Sequence, residues 1–493
     1  MEKGVSLNKI DIEIEDSNST SKIQNEPQYM SFFYILMNVI VSNLGILYFG
    51  YQLSVMSLAL GTIFIVFEVE ESQHSFYSSL LAAAIPFGAI FGAIIPGSFL
   101  SNSSRKNSMI FADIIGTIFG LLVLTRDINI FVLARFCAGF VIGLNSSLVL
   151  KYINEITPIS LTGTMGIVFS IALTLGIMIA SLNGQFFNEN PTQDDKYCFF
   201  VLLFPLIFTI SRPILFLVFF NHETPFYYIL NNQPDNCKEQ LKSIYKPEYV
   251  DQILLEVSQE VIKQGCKDTS NSYNSKRLSI GSTLLIFQQF SGINAVIMFL
   301  GQIFEKEHFS FRITNFLSLL SNFVYLLASI LSTFFVQKYT RRSILITGSS
   351  FAGIFLLLLA ILQIIDIQQI SFLAFFFISC YFVAFNFSLG PVIWLYCSEV
   401  LSSKEFSVAT TLNWISATIV VISIPYFDHL WPLFIFFSLV CFSCAIFTLS
   451  VVKETKDKSK MEIIHLYDSQ FAKQNEEYSS ITLNTSDKIT YVD

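Results

Sequence analysis

Apolar residues gather into runs of spanning length at about 31–56, 75–100, 108–125, 129–150, 164–187 and 198–220, and again at about 280–303, 313–336, 343–365, 370–396, 407–427 and 430–452. A hydrocarbon core roughly 30 Å thick takes about 20 such residues per helix, and inside it every backbone polar group has to be paired within the segment. The pattern predicts an all-α membrane protein with twelve transmembrane helices in two six-helix sets. Between the sets lies a polar stretch, 221–279, with a helical patch at Tyr249 to Ile262 and a Ser/Asn-rich end from Thr269 to Ser275. The expected organisation is a tail 1–30, a half 31–220, a linker 221–279 with short helices, a half 280–452 and a tail 453–493. The polar composition of both tails predicts disorder.

Three landmarks recur in the same order in both sets. The basic turn Ser104-Arg105-Lys106-Asn107 precedes the third run and Thr340-Arg341-Arg342-Ser343 the ninth; Glu155 follows the fourth run and Glu399 the tenth; Glu223-Thr224-Pro225 follows the sixth and Glu454-Thr455-Lys456 the twelfth. Their offsets are 236, 244 and 231 residues. Two parallel six-helix pseudo-repeats leave this trace, and such repeats around a midplane site are a transporter architecture. Basic residues fix the expected orientation. With the tails and the linker in the cytosol, 22 of the 29 Lys and Arg lie inside and only Arg126, Lys196, Lys306 and Arg312 lie outside. A multi-pass protein with both termini cytosolic follows; a plasma membrane is expected ahead of an internal one, although the charge count does not bear on that choice.

Composition narrows the class further. Charged residues make up 13% of the chain and apolar ones 53%, against about 25% charged in soluble domains, so a soluble multidomain enzyme is excluded. The net charge of −8 says little about partners, because residues 1–30 hold six acids against three lysines and residues 457–493 hold seven against four. The eight cysteines show no metal-ligand spacing. There is no phosphate-binding loop, and the five histidines lie apart in or beside loops. No catalytic residue, cofactor, metal or nucleic acid is expected. The remaining partners are the lipid bilayer and a small solute.

Amides in apolar spans carry the candidate chemistry, since burying one in hydrocarbon is costly unless it is paired or faces water. In Gln288-Gln289-Phe290-Ser291-Gly292-Ile293-Asn294, a continuous helix at 100° per residue sets Gln288, Ser291 and Asn294 within an arc of about 120°. Gly292 permits local unwinding. The tenth run adds Phe385, Asn386, Gly390, Pro391 and Trp394, and the eleventh Asn413 and Trp414. Gly-Pro interrupts a helix, and an aromatic beside the break can cover a pyranose face while amides take its hydroxyls. Asp113, the one acid well inside a run, is expected to pair with Arg105 or Lys106.

Together these residues resemble the sugar-porter family of the major facilitator superfamily over about 45–456. The likeness is carried by Phe49-Gly50-Tyr51, Arg105-Lys106, Ala134-Arg135-Phe136 with Gly139 and Gly143, and Tyr152 to Pro158 with Leu161-Thr162-Gly163. It continues through Glu223-Thr224-Pro225, Gln288 to Asn294, Arg341-Arg342, Gly390-Pro391 to Trp394, Glu399, Asn413-Trp414 and Glu454-Thr455-Lys456. The resemblance implies that Gln288, Gln289 and Asn294 bind sugar hydroxyls beside Phe385, Asn386 and Trp394, with Ser170 where the family has a fifth-helix glutamine. It also implies a gating set of Arg105, Glu155, Glu223, Arg341, Arg342, Glu399 and Glu454, which holds the cytosolic side shut, with Arg135 in the fourth span.

Several positions depart from the family pattern. Ser101, Ser104, Gln337, Thr340 and Thr162 replace gating residues, Tyr325 stands for an eighth-helix asparagine with Asn322 one turn earlier, and Ala417 for an eleventh-helix asparagine. Met298 and Phe299 stand for an aromatic pair over the site. Proton-coupled members carry an aspartate opposite the fourth-span arginine; here that place is Gln52, and an amide does not take up and release a proton at physiological pH. The expectation is facilitated transport of a monosaccharide, a hexose such as glucose. A proton-coupled sugar or polyol symporter and a non-transporting sugar sensor remain as alternatives.

Overall fold

The computed structural model describes residues 29–98, 103–188, 195–268, 275–307, 309–365, 371–456, 458 and 460–467. Most of both tails, the Ser/Asn-rich stretch, Ser101 and His308 lie outside the described residues. The described chain is helical, with one isolated antiparallel bridge between Tyr29 and Tyr245. Twelve helical segments are long and apolar enough to cross a membrane: Phe32–Ser57, Glu71–Pro96, Arg105–Thr125, Ile128–Ile156, Met165–Gly184, Lys196–Phe219, Ser275–Met298, Phe311–Lys338, Arg341–Ile365, Phe372–Val400, Lys404–Tyr426 and Trp431–Ser450. These are called here the first to twelfth spans. Three helices, Pro225–Leu230, Pro234–Ile244 and Val250–Asp268, fill the linker, and Lys460–Tyr467 follows the twelfth span. The seventh-span helix starts at Ser275, inside the expected linker, where Arg277 is anchored to Glu405 of the eleventh span across 3.9 Å.

Four spans are interrupted. The first breaks at Asn43, the sixth at Phe204-Pro205, the seventh at Ser291-Gly292 and the tenth at Ser388 to Gly390. The last two are the breaks expected at Gly292 and at Gly-Pro. Gly292 sits at φ +87°, and a Cβ there would stand 2.3 Å from the Phe437 ring, so both backbone conformation and packing demand glycine.

Within the first half, the second and fourth spans approach closely enough that a Cβ on Gly139 would meet the Ile85 carbonyl at 2.0 Å. Between the halves, the second span packs along the eleventh and the fifth along the eighth. A shift of six spans converts one contact into the other, as a pseudo-twofold requires. Near the end remote from the linker the halves are joined by hydrogen bonds: Gln185 Nε2 donates to the Asn315 carbonyl (2.7 Å) and Asn315 Nδ2 to the Gly184 carbonyl (3.2 Å).

Candidate functional site

The seventh and eleventh spans bring four amides into one chain of hydrogen bonds that ends on the tenth. Asn294 Nδ2 donates to Gln289 Oε1 (2.8 Å), Gln289 Nε2 to Asn413 Oδ1 (3.0 Å), and Asn413 Nδ2 to Gln288 Oε1 (3.0 Å). Gln288 Nε2 then donates to the carbonyls of Leu389 (2.9 Å) and Gly390 (3.2 Å), at the tenth-span break. All four donors point the same way round, so each bond polarises the next. The four residues are buried. This arrangement differs from the continuous face expected across Gln288, Ser291 and Asn294. The helix ends at Phe290, and the Ser291 hydroxyl turns back to the Gln288 carbonyl (2.6 Å). Gln289 takes the place in the chain that helical spacing gave to Ser291.

Asn413, noted in the sequence among the in-span polar residues but given no sugar-binding role, is the centre of the cluster. The signal was there: an amide in an apolar span, as at Gln288. Asn386 leaves the chain to brace the eighth span, donating to the Tyr325 carbonyl (3.0 Å). Phe385 is buried, with Tyr381 at 6.2 Å between ring centroids. Trp394 is half-buried, edge-on to Phe406 at 5.9 Å. Trp414 is buried against Phe49 of the first span, with ring centroids 5.6 Å apart, and its indole N–H has no partner among the described residues. Ser170 is half-buried, and its described hydrogen bond is through its carbonyl, which accepts from Thr174 (3.0 Å). No described hydrogen bond ties it to the amides.

The charged residues form two equivalent networks at the linker end. In the first half, Arg105 Nη2 meets Glu155 Oε1 at 3.2 Å, Thr224 Oγ1 donates to Glu155 Oε2 (2.6 Å), and Glu223 Oε1 accepts from the Lys106 amide (3.0 Å) and the Ser104 hydroxyl. In the second half, Arg341 Nη2 meets Glu399 Oε1 at 3.3 Å, Thr455 Oγ1 donates to Glu399 Oε2 (2.6 Å), and Glu454 accepts from the Arg341 and Arg342 amides at 3.0 Å each. The contacts of Glu155 and Glu399 match atom for atom, while Glu223 and Glu454 each cap the following basic turn with a different set of donors. These pairs lie within each half. The Arg342 side chain takes the Leu449 carbonyl rather than an acid.

Burial alone would raise the Glu454 carboxyl, but the N–H groups of Arg342, Lys456 and Arg341 outweigh it and hold the group below its ordinary value. A carboxyl so held contributes stability above its unfolded value, and that contribution is lost as pH falls through its folded value. Glu454→Gln should therefore flatten part of the loss of thermal stability on acidification. Melting curves against pH in detergent check this, and parallel curves for variant and wild type would refute it.

Three buried charges stand apart from these networks. Arg135 lies near the other end of the fourth span, buried, with Nη1 donating to Gln52 Oε1 (2.8 Å) and to the Gln52 carbonyl (2.9 Å). Asp113 is not paired with Arg105 or Lys106, which are held by Glu155 and by Asn221. It makes a two-pronged pair with Arg212 of the sixth span instead, at 2.7 Å on both oxygens, and both side chains are fully buried.

The chain matches the family model described as "Sugar (and other) transporter" over residues 37–467. It is 27% identical to Hexose transporter 1 of Plasmodium vivax (strain Brazil I), over 90% of this chain and 94% of that protein. It is 27% identical to the Facilitated trehalose transporter Tret1-2 homolog of Drosophila sechellia, over 80% of this chain and 82% of that one. Its fold is similar to that of the proton:xylose symporter XylE of E. coli, solved with 6-bromo-6-deoxy-D-glucose, at a TM-score of 0.76 and 22% identity, over 88% of this chain and 99% of that one.

Proposed function

The chain belongs to the sugar transporter family, and from that premise we propose that it carries a hexose such as glucose down its gradient across the plasma membrane by alternating access, with both tails and the linker in the cytosol. The observation that carries this reading is the one-way chain Asn294, Gln289, Asn413, Gln288. Neutral donors and acceptors held in fixed order between three spans suit a neutral, hydroxyl-rich solute. Gln288, Gln289 and Asn294 take sugar hydroxyls, Phe385 and Trp394 cover the apolar face of the ring, and Asn386 and Ser170 stand at the edge of the site. The names of the two relatives, a hexose transporter and a facilitated trehalose transporter, agree with a sugar moved by facilitation.

The networks around Glu155 and Glu399 act as the cytosolic gate, each keeping its own half rigid where the halves meet on closure. The partly exposed Arg341–Glu399 pair is individually weak, so its contacts break in each cycle. Uniport is supported by Gln52: the group facing Arg135 is an amide, which does not take up and release a proton at physiological pH.

Reconstituted vesicles test both claims. Labelled glucose should enter by counterflow and level off at the same equilibrium with or without an imposed proton gradient, and Gln289→Ala and Trp394→Ala should slow entry at equal protein. Accumulation above equilibrium would sink uniport; absence of flux for every sugar and polyol would sink transport.

A further inference from the structure

The eighth span carries a polar face that the four-amide chain does not use. Thr314, Ser318, Ser321, Asn322, Ser329 and Ser332 are buried, and at 100° per residue they fall within an arc of about 100°. Small hydroxyls along a membrane helix ordinarily satisfy themselves on the carbonyl one turn back, as Ser332 does on Ser329 (2.8 Å). Here Thr314 Oγ1, Ser318 Oγ, Ser321 Oγ, Asn322 Oδ1 and Ser329 Oγ have no partner among the described residues. Buried polar groups left unpaired are costly, and five on one face call for something that pairs with them during the working cycle.

The surroundings say what that is. On one side the face meets the fifth span of the other half, where Asn322 Nδ2 donates to Ser181 Oγ (2.6 Å) and Ser181 Oγ lies 3.3 Å from Ser54 Oγ of the first span. On the other it meets the tenth span, where Asn386 holds the Tyr325 carbonyl and the Phe382 ring lies tilted against the Tyr325 ring with centroids 4.6 Å apart. Asn322, Ser181 and Ser54 are fully buried. All three are neutral and both donate and accept, which suits neutral hydroxyls.

We propose that Asn322, Ser181 and Ser54 form a sugar-hydroxyl subsite that spans the two halves, one helical turn outward of Tyr325. The assignment rests on the sugar-transport reading and extends it from the amides of the second half to a contact shared by both. Without sugar, the Asn322 amide closes on Ser181 as a latch; with sugar, a substrate hydroxyl enters between them and donates to Asn322 Oδ1. Occupancy and closure of the outer seam are coupled through the same atoms.

The test is uptake of glucose and its monodeoxy analogues by wild type, Asn322→Ala and Ser181→Ala in vesicles, with size-exclusion profiles to verify folding. Asn322→Ala should raise KM for glucose about 5-fold, in the range of one lost neutral hydrogen bond, while one deoxy analogue, already weak on the wild type, loses nothing further. Ser181→Ala, which removes a single hydroxyl and folds more safely, should single out the same analogue. A latch without sugar contact would shift all analogues by one factor, and that result overturns the subsite alone. Absence of hexose uptake by the wild type would overturn the transport reading and the subsite together.

Discussion

Asp113→Asn should destabilise the first half by about 3–5 kcal/mol, the range for removing one partner of a buried ion pair. The magnitude follows from what Arg212 holds. Besides both Asp113 oxygens, its guanidinium donates to Asn145 Oδ1 (3.0 Å), to the Ser42 carbonyl (3.2 Å) at the first-span break, and to the Met109 carbonyl (3.3 Å). One side chain thus ties the first, third, fourth and sixth spans. With the carboxylate gone, a full positive charge stays in a site with no solvent access. For a half of this size, that loss is a fall of roughly 10 °C in melting temperature, read in detergent by fluorescence-detected size exclusion. Asp113→Leu with Arg212→Met removes the charge altogether and should melt above the single variant. It should still melt below wild type, because the Ser42, Met109 and Asn145 oxygens lose their donor. A single variant as stable as wild type would show that the pair contributes nothing to the fold.

The same pair marks where the sequence stopped being informative. The twelve spans were legible because an apolar run of membrane length has one low-energy structure in hydrocarbon, and the expected and observed segments differ only at their ends. The fourth, for example, runs through Lys151 and Glu155 to Ile156, as long polar side chains at a helix end can reach the interface. The repeat was legible from Arg105, Glu155 and Glu223 and their counterparts, because identical chemistry at matching positions builds identical loops. Pairing across the bundle was not. Nearness in sequence favoured Arg105 for Asp113, whereas the carboxylate lies deep in its span and faces Arg212, 99 residues away. The break at Asn43 was equally hidden, having neither Gly nor Pro to announce it. In the candidate site, residue types were legible and connectivity was not: the breaks at Gly292 and Gly390 turn Ser291 away and bring Asn413 between the two glutamines.

Asn413→Leu should weaken sugar binding by about one to two orders of magnitude. Asn413 donates to Gln288 Oε1 and to the Leu285 carbonyl (2.8 Å) and accepts from Gln289 Nε2. Leucine has the same number of side-chain heavy atoms, so the change removes the hydrogen bonds and leaves no cavity, at the cost of two bulkier methyl groups in a buried site. It leaves two buried side-chain groups, Gln288 Oε1 and Gln289 Nε2, without that partner, each costing about 1–3 kcal/mol if nothing replaces it. The two glutamines recover part of that cost by swinging towards other acceptors. In doing so they lose the positions from which the one-way chain presents them, and each 1.4 kcal/mol of lost preorganisation is about tenfold in affinity. Asn413→Ser, which keeps one donor and one acceptor on a shorter arm, should fall between wild type and Asn413→Leu. Dissociation constants for glucose by tryptophan fluorescence, with KM and kcat from counterflow, separate the cases. A positioning role raises both the dissociation constant and KM in the order wild type, Ser, Leu, alongside the fall in melting temperature that the unpaired groups cause. If affinity stays constant while melting temperature falls, Asn413 is a strut between the seventh and eleventh spans, and the glutamines hold their places without it.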